Sequence, residues 1–472
     1  MSSNNDILKI EILPSKTKFA YGFGEFVHII LSNVAFAAIT FYYNVKLGLD
    51  EQLIGLAWLI FAFWNAINDP LFGFIQDRTK SKWGRRIPYI RFGAPIYGIL
   101  FIIVWFPLVD ITNEFALFIY LLFILFTFDS IYTIIGLIMY SMPAEMVVSS
   151  KARANIMVYG SIFSSLGFLV ALILPVLLLT GSESTSVDPT FLIVMICVGI
   201  ISALVLFICS FYLKENKYTQ LEEPLGMMDG LKETFKNKPF LIFEVSIFSF
   251  LLAQTILITA LFYYLDYVLQ IGGILAMLPI LIFFAMVLGF TYTYSKLAAK
   301  RGLKKTYIFS LILSGLGFIL GFFIGWSLIP AIIFFIIIGI GFSGIFLTQQ
   351  ALFAETIDYD EILTTKRRET SYSGVNALIT KPAISIANFF FLAIISLYGF
   401  QRTSSTQTET AQLGIMIGFT ILPALFILIS AIAIKFFPLD GSEWKQQKID
   451  LKKIHDEKER AYLSHLKEQG VI

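Results

Sequence analysis

The stretch Trp64–Arg91, WNAINDPLFGFIQDRTKSKWGRRIPYIR, decides how the rest of the chain is read. An apolar helix carries a carboxylate, Asp69, directly before Pro70, and then opens into a dense basic loop. A charge at the centre of a membrane helix costs roughly 2.5–3.5 kcal/mol or more, so it is kept only with a partner or a task. Loops rich in Lys and Arg mark the cytoplasmic side of a membrane protein. One segment thus nominates a functional residue and sets an orientation.

Composition agrees with that reading. The chain has 472 residues, 57% of them hydrophobic and 14% charged, where a soluble domain carries about 25% charged residues. This is a polytopic membrane protein, with the lipid bilayer as its surroundings. Residues 1–18 show no signal-peptide core. Cys197 and Cys209 share one apolar segment and read as core thiols rather than a disulfide or metal site. No Walker motif, metal-ligand cluster or nucleophile–base pairing is present, which argues against an ATP-driven pump and against an enzyme. No cofactor and no nucleic-acid partner are expected, and a functional monomer is.

A membrane span needs about twenty apolar residues. On that measure twelve helices are expected, beginning near Phe19, Gln52, Ile90, Phe115, Ala154, Phe191, Phe240, Ile274, Thr306, Pro330, Thr370 and Leu413. The fold class is all-α, with two six-helix bundles over 19–213 and 239–437. A linker over 214–238 joins them, between an N-terminal segment over 1–18 and a tail over 438–472. Cations crowd the second loop (Arg78 to Arg91), the fourth (Lys151, Arg153), the eighth (Lys296 to Lys305) and the tenth (Lys366, Arg367, Arg368). Lys46 and Arg402 are the exceptions on the other side. The positive-inside rule places both termini in the cytoplasm. The tail reads as an amphipathic helix from its apolar positions Ile449, Leu451, Ile454, Tyr462, Leu463 and Leu466.

The halves echo each other. Ala144-Glu145-Met146 leads to Lys151 and Arg153, and Ala354-Glu355-Thr356 leads to Lys366, Arg367 and Arg368. Parallel repeats of six helices belong to the major facilitator fold, in which a central site opens to either side as the halves rock.

Motifs then narrow the family. Tyr21-Gly22-Phe23-Gly24, and Trp64 to Pro70 with Gly73, Asp77 and Trp83-Gly84-Arg85, resemble the glycoside–pentoside–hexuronide:cation symporters. Glu355-Thr356-Ile357-Asp358-Tyr359, Arg368-Glu369, Lys381 and Phe437 to Gly441 resemble the second-half signature of the same family. The resemblance runs from about Lys18 to Gly441 and implies cation-coupled symport of a small organic solute, sugars and glycosides first. Lysolipid symporters of the same fold leave an amphiphile as the alternative, and a non-transporting sensor as a remote one.

Spacing adds a mechanism. Asn65 and Asp69 are four apart and share a helix face, with Asn68 beside them. Asp69 lies roughly 12 Å in from the loop at Asp77, and Lys381 roughly 16 Å in from Thr370, at 1.5 Å per residue. A carboxylate of one half and an ammonium of the other are thus at similar depth. Loading a cation on Asp69 would free Lys381 and shift the balance between states; the alternative is an ion pair that merely locks two helices. In sodium-using members of the resembled family, the position of Asn65 is typically a second carboxylate. Its replacement by an amide favours proton over Na+ coupling, with Asp69 the residue for either ion.

The resemblance also places the substrate positions. The sugar-binding carboxylates fall on Ile29 and Ile135, a lysine on His28, aromatic platforms on Met139 and Phe346, and an arginine near Gly160. Most are apolar here, so a less polar substrate, or a glycoside held by other residues, becomes credible. His28, Asp129, Tyr132, Phe346, Gln349, Gln350 and Asn376 remain pocket candidates, with helix-packing hydrogen bonds as the plainer reading. Asp129 is expected farther toward the outside than Asp69. Glu244 and Asp266 are expected near the two membrane surfaces, solvated, and Glu25 either beside His28 or facing the cytoplasmic vestibule. Asp77, Arg85, Arg86, Glu145 and Arg153, with Glu355, Asp358, Arg368 and Glu369, are candidates for cytoplasmic networks that close the outward-facing state; topology alone is the competing reading. Proton coupling predicts that uptake into proteoliposomes ignores a sodium gradient at equal pH on both sides; sodium-driven accumulation there would overturn it.

Overall fold

A computed structural model describes residues 13–147, 150–181, 187–215, 234–364, 368–451 and 453. The side chains of Lys151 and Glu369, and all of Lys366 and Arg367, lie outside the described residues, as do the tail beyond Lys453 and linker residues 216–233.

Among the described residues twelve helices are long and apolar enough to cross a membrane: spans one to six are Ser15–Lys46, Glu51–Asp77, Ile87–Trp105, Glu114–Pro143, Ala152–Leu179 and Pro189–Cys209. Spans seven to twelve are Lys238–Val268, Gly273–Arg301, Leu303–Ile324, Leu328–Thr364, Ser371–Leu397 and Glu409–Lys435. The helices start one to four residues before the apolar runs do. The extra turn is polar and capped: Asp50, Asn113, Asp188 and Asn237 each accept a backbone N–H at a helix start. Span one likewise begins at Ser15, after Pro14, and takes in Lys16 and Lys18.

Each six-helix half repeats a device that the sequence reading missed. Phe41-Tyr42-Tyr43 near the end of span one and Phe262-Tyr263-Tyr264 near the end of span seven each enter a five-residue π-helical turn, Tyr42–Lys46 and Tyr264–Val268. The second tyrosine of each caps the neighbouring helix: Tyr43 donates to the Val104 carbonyl and Tyr264 to the Gly325 carbonyl. The two motifs meet, with the Phe41 and Phe262 rings stacked at 5.5 Å and Tyr263 donating to Asn44 Oδ1 at 3.0 Å. Across the halves, span two packs along span eleven, span five against span eight and span one against span seven.

Those contacts close the end opposite the basic loops. Arg402 of the second half pairs with Asp50, at 2.7 Å, and with Glu114, both of the first half. Gln52 Nε2 reaches Ser396 at 3.1 Å, and the Gly181 N–H donates to Asp266 at 2.6 Å. Gly181 and Gly272 approach so closely that a Cβ on Gly181 would lie 2.4 Å from the Gly272 Cα. A buried knot lies beneath: Trp58 donates to Thr40, and Thr40 and Thr259 both donate to Asn388 Oδ1. At the basic-loop end the ion pairs among the described residues instead stay within one half. The structure is therefore closed at the Arg402 end. The first turns of the tail, over 441–451, form a helix that buries Trp444 and Leu451 and pairs Lys448 with Glu355 of span ten at 3.0 Å.

Arg402→Ala removes two inter-half pairs at once. Exposed pairs contribute roughly 0.2–1 kcal/mol each, so a shift of about twofold to thirtyfold toward opening at this end is expected. Thiol labelling of Ser396→Cys, with Cys197 and Cys209 replaced, measures it as a faster labelling rate.

Candidate functional site

The site forms where span two meets span eleven. Span eleven is not continuous: one helix runs Glu369–Thr380, the next starts at Pro382, and Lys381 stands at the junction. Proline lacks the N–H that would bond back one turn, so the break follows from the sequence. Asn65 holds the junction by donating to the Lys381 carbonyl at 3.1 Å. The Lys381 ammonium then points at span two, where it pairs with Asp69 Oδ1. It also donates to Asn68 Oδ1 at 3.2 Å and to Thr133 Oγ1 of span four at 3.0 Å. Asn68 is the hub: its amide donates to Asp129 Oδ2 and, at 3.1 Å, to Thr133.

Asp129 thus lies at the level of Asn68, not farther out as its place along span four implied. The rise of span four from its first residue misjudges depth because this helix, Glu114–Met146, is 33 residues long and overruns the membrane. The correction changes the charge count. Two carboxylates, Asp69 and Asp129, share one ammonium, and Asp129 is fully buried. With every group ionised the cluster carries one negative charge. Three oxygens of different chemistry (carboxylate, amide carbonyl, hydroxyl) converge on a single cationic atom. Such a set can hold a small hard cation in place of the ammonium.

The other candidates are distributed around this centre. Tyr132 sits over it, with the Lys381 ammonium 5.7 Å from its ring centroid, and stacks on His28 at 5.3 Å. His28 is buried with Nδ1 unpartnered and faces Gly136. Glu25 does not join it; its carboxylate accepts from Ser164 on span five. Phe346 packs on Phe250 and Phe342 and lines a small apolar pocket, of about 40 Å³, between spans five, seven, eight and ten. Gln349 is half-buried with Oε1 unpartnered, and Gln350 is exposed. Asn376 belongs elsewhere, since it donates to Glu244 at 2.9 Å. Glu244 itself is buried, against its expected place at a solvated surface. Asp266 likewise is taken up by the Gly181 contact.

Ile135 lies off the face of the hub: its side chain packs against span three at Gly93. The helix face that carries Asp129, Thr133 and Gly136 continues one turn on to Tyr140, since residues three and four apart share a face. Tyr140 is 74% exposed, whereas neighbouring Met139 is buried. The Tyr-Thr pair at 132–133 marks the face of span four that carries the hub.

The loop networks are real but local. Arg85 pairs with Glu145 at 2.7 Å, and Arg86 with Asp77 at 2.8 Å and Glu145 at 3.5 Å. Glu215 accepts from the backbone N–H groups of Arg85, Arg86 and Ile87, capping span three. In the second half Arg368 makes a bidentate pair with Asp360, a residue the sequence reading passed over for Asp358. Arg153 and Asp358 are half-buried.

Comparison with known proteins follows from this geometry. The family model described as MFS/sugar transport protein matches residues 20–441. The chain belongs to that family. It is a multi-pass membrane transporter of small solutes, not an enzyme. An uncharacterized symporter, YnaJ of Bacillus subtilis, is 24% identical over 95% of this chain and 96% of its own. The glucuronide carrier protein homolog of Escherichia coli is 23% identical over 92% and 95%. Among solved structures, a bacterial homologue of the human lysosomal transporter Spinster aligns with a TM-score of 0.64 at 15% identity, over 90% of this chain and 96% of that one. Its likeness establishes the major facilitator fold.

The charge count orders three variants of this family member. Lys381→Met leaves two buried carboxylates unpaired and is expected to cost about 3–5 kcal/mol. Asp69→Asn leaves a neutral pair and costs far less, and the double variant recovers most of the Lys381→Met loss. Thermal unfolding in detergent reads the order.

Proposed function

We propose that the protein is a cation-coupled symporter of a sugar-like solute, working by alternating access, with Asp69, Asp129, Asn68, Thr133 and Lys381 as its coupling centre. The observation that carries this reading is the Asp69–Lys381 pair, because it joins the two halves inside the membrane. A group that must change partner when a cation arrives is placed where the halves must separate. With the cation absent, the ammonium holds span eleven to span two. A cation at Asp69 and Asn68 takes over those oxygens and releases Lys381. The ligand's effect on the equilibrium equals its differential affinity for the two states.

The proton is the coupling ion in this reading. Asp129 is buried with a single amide donor and Lys381 already fills the oxygen set, so a proton can join without a vacant cage. The same three oxygens are what favours the second reading, sodium. With the basic-loop end cytoplasmic, as the positive-inside rule has it, the structure corresponds to closure on the outside. Tyr140 is exposed two turns from Thr133 on the same face of span four, toward the basic-loop end, where an aromatic ring suits the apolar face of a sugar. The glucuronide carrier homolog supports a carbohydrate substrate. The small apolar pocket at Phe346 is the observation that favours a lysolipid or other amphiphile instead.

Counterflow in proteoliposomes with sugars, glycosides, uronides and lysolipids, at two pH values and with and without sodium, tests the whole reading. Asp69→Asn is expected to retain solute exchange while losing accumulation against a gradient roughly completely. Undiminished accumulation by that variant would exclude this coupling centre.

A further inference from the structure

The second half holds a buried acid that the coupling centre does not use. Glu244 lies on span seven, about 9 Å in from its first residue at 1.5 Å per residue, and is 2% exposed. Its Oε1 accepts from Asn376, and its Oε2 has no hydrogen-bond partner among the described residues. An isolated carboxylate taken out of water costs several kcal/mol, far more than a carboxylic acid does. None of the ion pairs among the described residues includes Glu244.

The charged and titratable groups on the elements packed against span seven are otherwise engaged or distant in the fold. On span eleven and its entry, Lys381 is held by Asp69, and Arg368 by Asp360. On span ten Glu355 is held by Lys448. Lys435 lies exposed at the end of span twelve, and Tyr307 of span nine is an uncharged neighbour of the Ser246–Ser430 contact. On span one, Glu25 bonds to Ser164 and His28 stacks on Tyr132.

Two features make this acid more than a satisfied core group. First, an apolar plug of Phe240, Ile357, Tyr372 and Val375, with Phe353 against it, stands between Glu244 and the basic-loop end. Second, its one partner is on the short helix that ends at Lys381: Asn376 bonds to Glu244 through its side chain, and its carbonyl accepts from Thr380, next to Lys381. When the coupling centre exchanges its partner and that helix moves, Asn376 and the plug residues Tyr372 and Val375 move with it. A shift of that helix would therefore change the cover over Glu244 and the position of Lys381 together.

We infer that Glu244 is a second proton-binding site, in the C-terminal half, which takes up and releases a proton as the first helix of span eleven shifts. The proton adds to Oε2 of the carboxylate to give the neutral acid, and leaves from the same atom to water when the plug opens. The transport arm of the test rests on the symport reading; the spectroscopic arm does not.

In the purified wild-type protein at neutral pH, infrared spectra are expected to contain the carbonyl stretch of a protonated carboxyl that Glu244→Gln lacks and Asp69→Asn retains. In proteoliposomes, one titrating proton gives up to about a tenfold rise in uptake rate per pH unit below saturation. Glu244→Gln, which keeps the Asn376 bond and mimics the protonated acid, should remove one proton's share of that dependence, lowering the slope by up to about tenfold per unit while leaving the coupling centre's own dependence and solute binding in place. Asn376→Leu, which removes the donor, should displace the profile without flattening it. An unchanged infrared band, or a Glu244→Gln profile as steep as the wild type's, overturns the inference and leaves Glu244 a structural carboxyl. Loss of coupling in Asp69→Asn alongside that result would leave the symport reading intact. Retention of coupling in Asp69→Asn would instead refute the symport reading.

Discussion

Two carboxylates and one ammonium in the membrane interior are the constraint on which the rest of the structure depends. Asp69 and Asp129 belong to the first half and Lys381 to the second, so the Asp69–Lys381 pair crosses the interface between the halves. Charges at this depth are tolerated because each finds a partner, and Asn68 supplies both a donor and an acceptor to tie all three together. With all three groups ionised, the second carboxylate leaves one surplus negative charge, which in the proposed mechanism a cation neutralises. A cluster that was neutral would have no electrostatic reason to admit a cation.

Around that centre the fold provides one closed end and one set of local networks. The paired Phe-Tyr-Tyr motifs, the Arg402 pairs and the Thr40–Asn388 knot draw the halves together at one end. The arginines and acids of the basic loops stay inside their own halves and stiffen them. This division suits rigid-body rocking, since a half that is internally braced transmits motion instead of deforming. Span eleven is the exception. Its break at Pro382 lets the helix bearing Asn376 and Lys381 move separately from the helix that packs against span two nearer the closed end.

Membrane folds are written plainly in sequence, and this one was legible to a large degree. Twenty-residue apolar runs gave the spans because backbone groups in hydrocarbon must be satisfied within the helix. The depth of Asp69 and Lys381 could be counted from the loops, and their meeting followed. Asp129 was misplaced because counting rise along a helix that overruns the bilayer carries an error of more than a turn. Glu244 was misjudged because hydropathy reports distance from the end of a span, not whether other helices cover the residue. Ile135 and Gly136 are neighbours in sequence but about 100° apart around span four, so one packs against span three and the other faces His28.

By itself, then, the sequence determined the membrane-spanning class, the twelve helices, the paired halves and the acid–lysine couple, since each depends on local composition or on periodicity. Only the tertiary structure decided that a second carboxylate joins the couple through Asn68, that the Arg402 end is the closed one, and that Glu244 is cut off from solvent. Those facts depend on which helix faces turn toward one another. Inside a membrane every face is apolar enough to be buried or to meet lipid, so hydrophobic patterning leaves that choice open, and side-chain packing and paired charges make it.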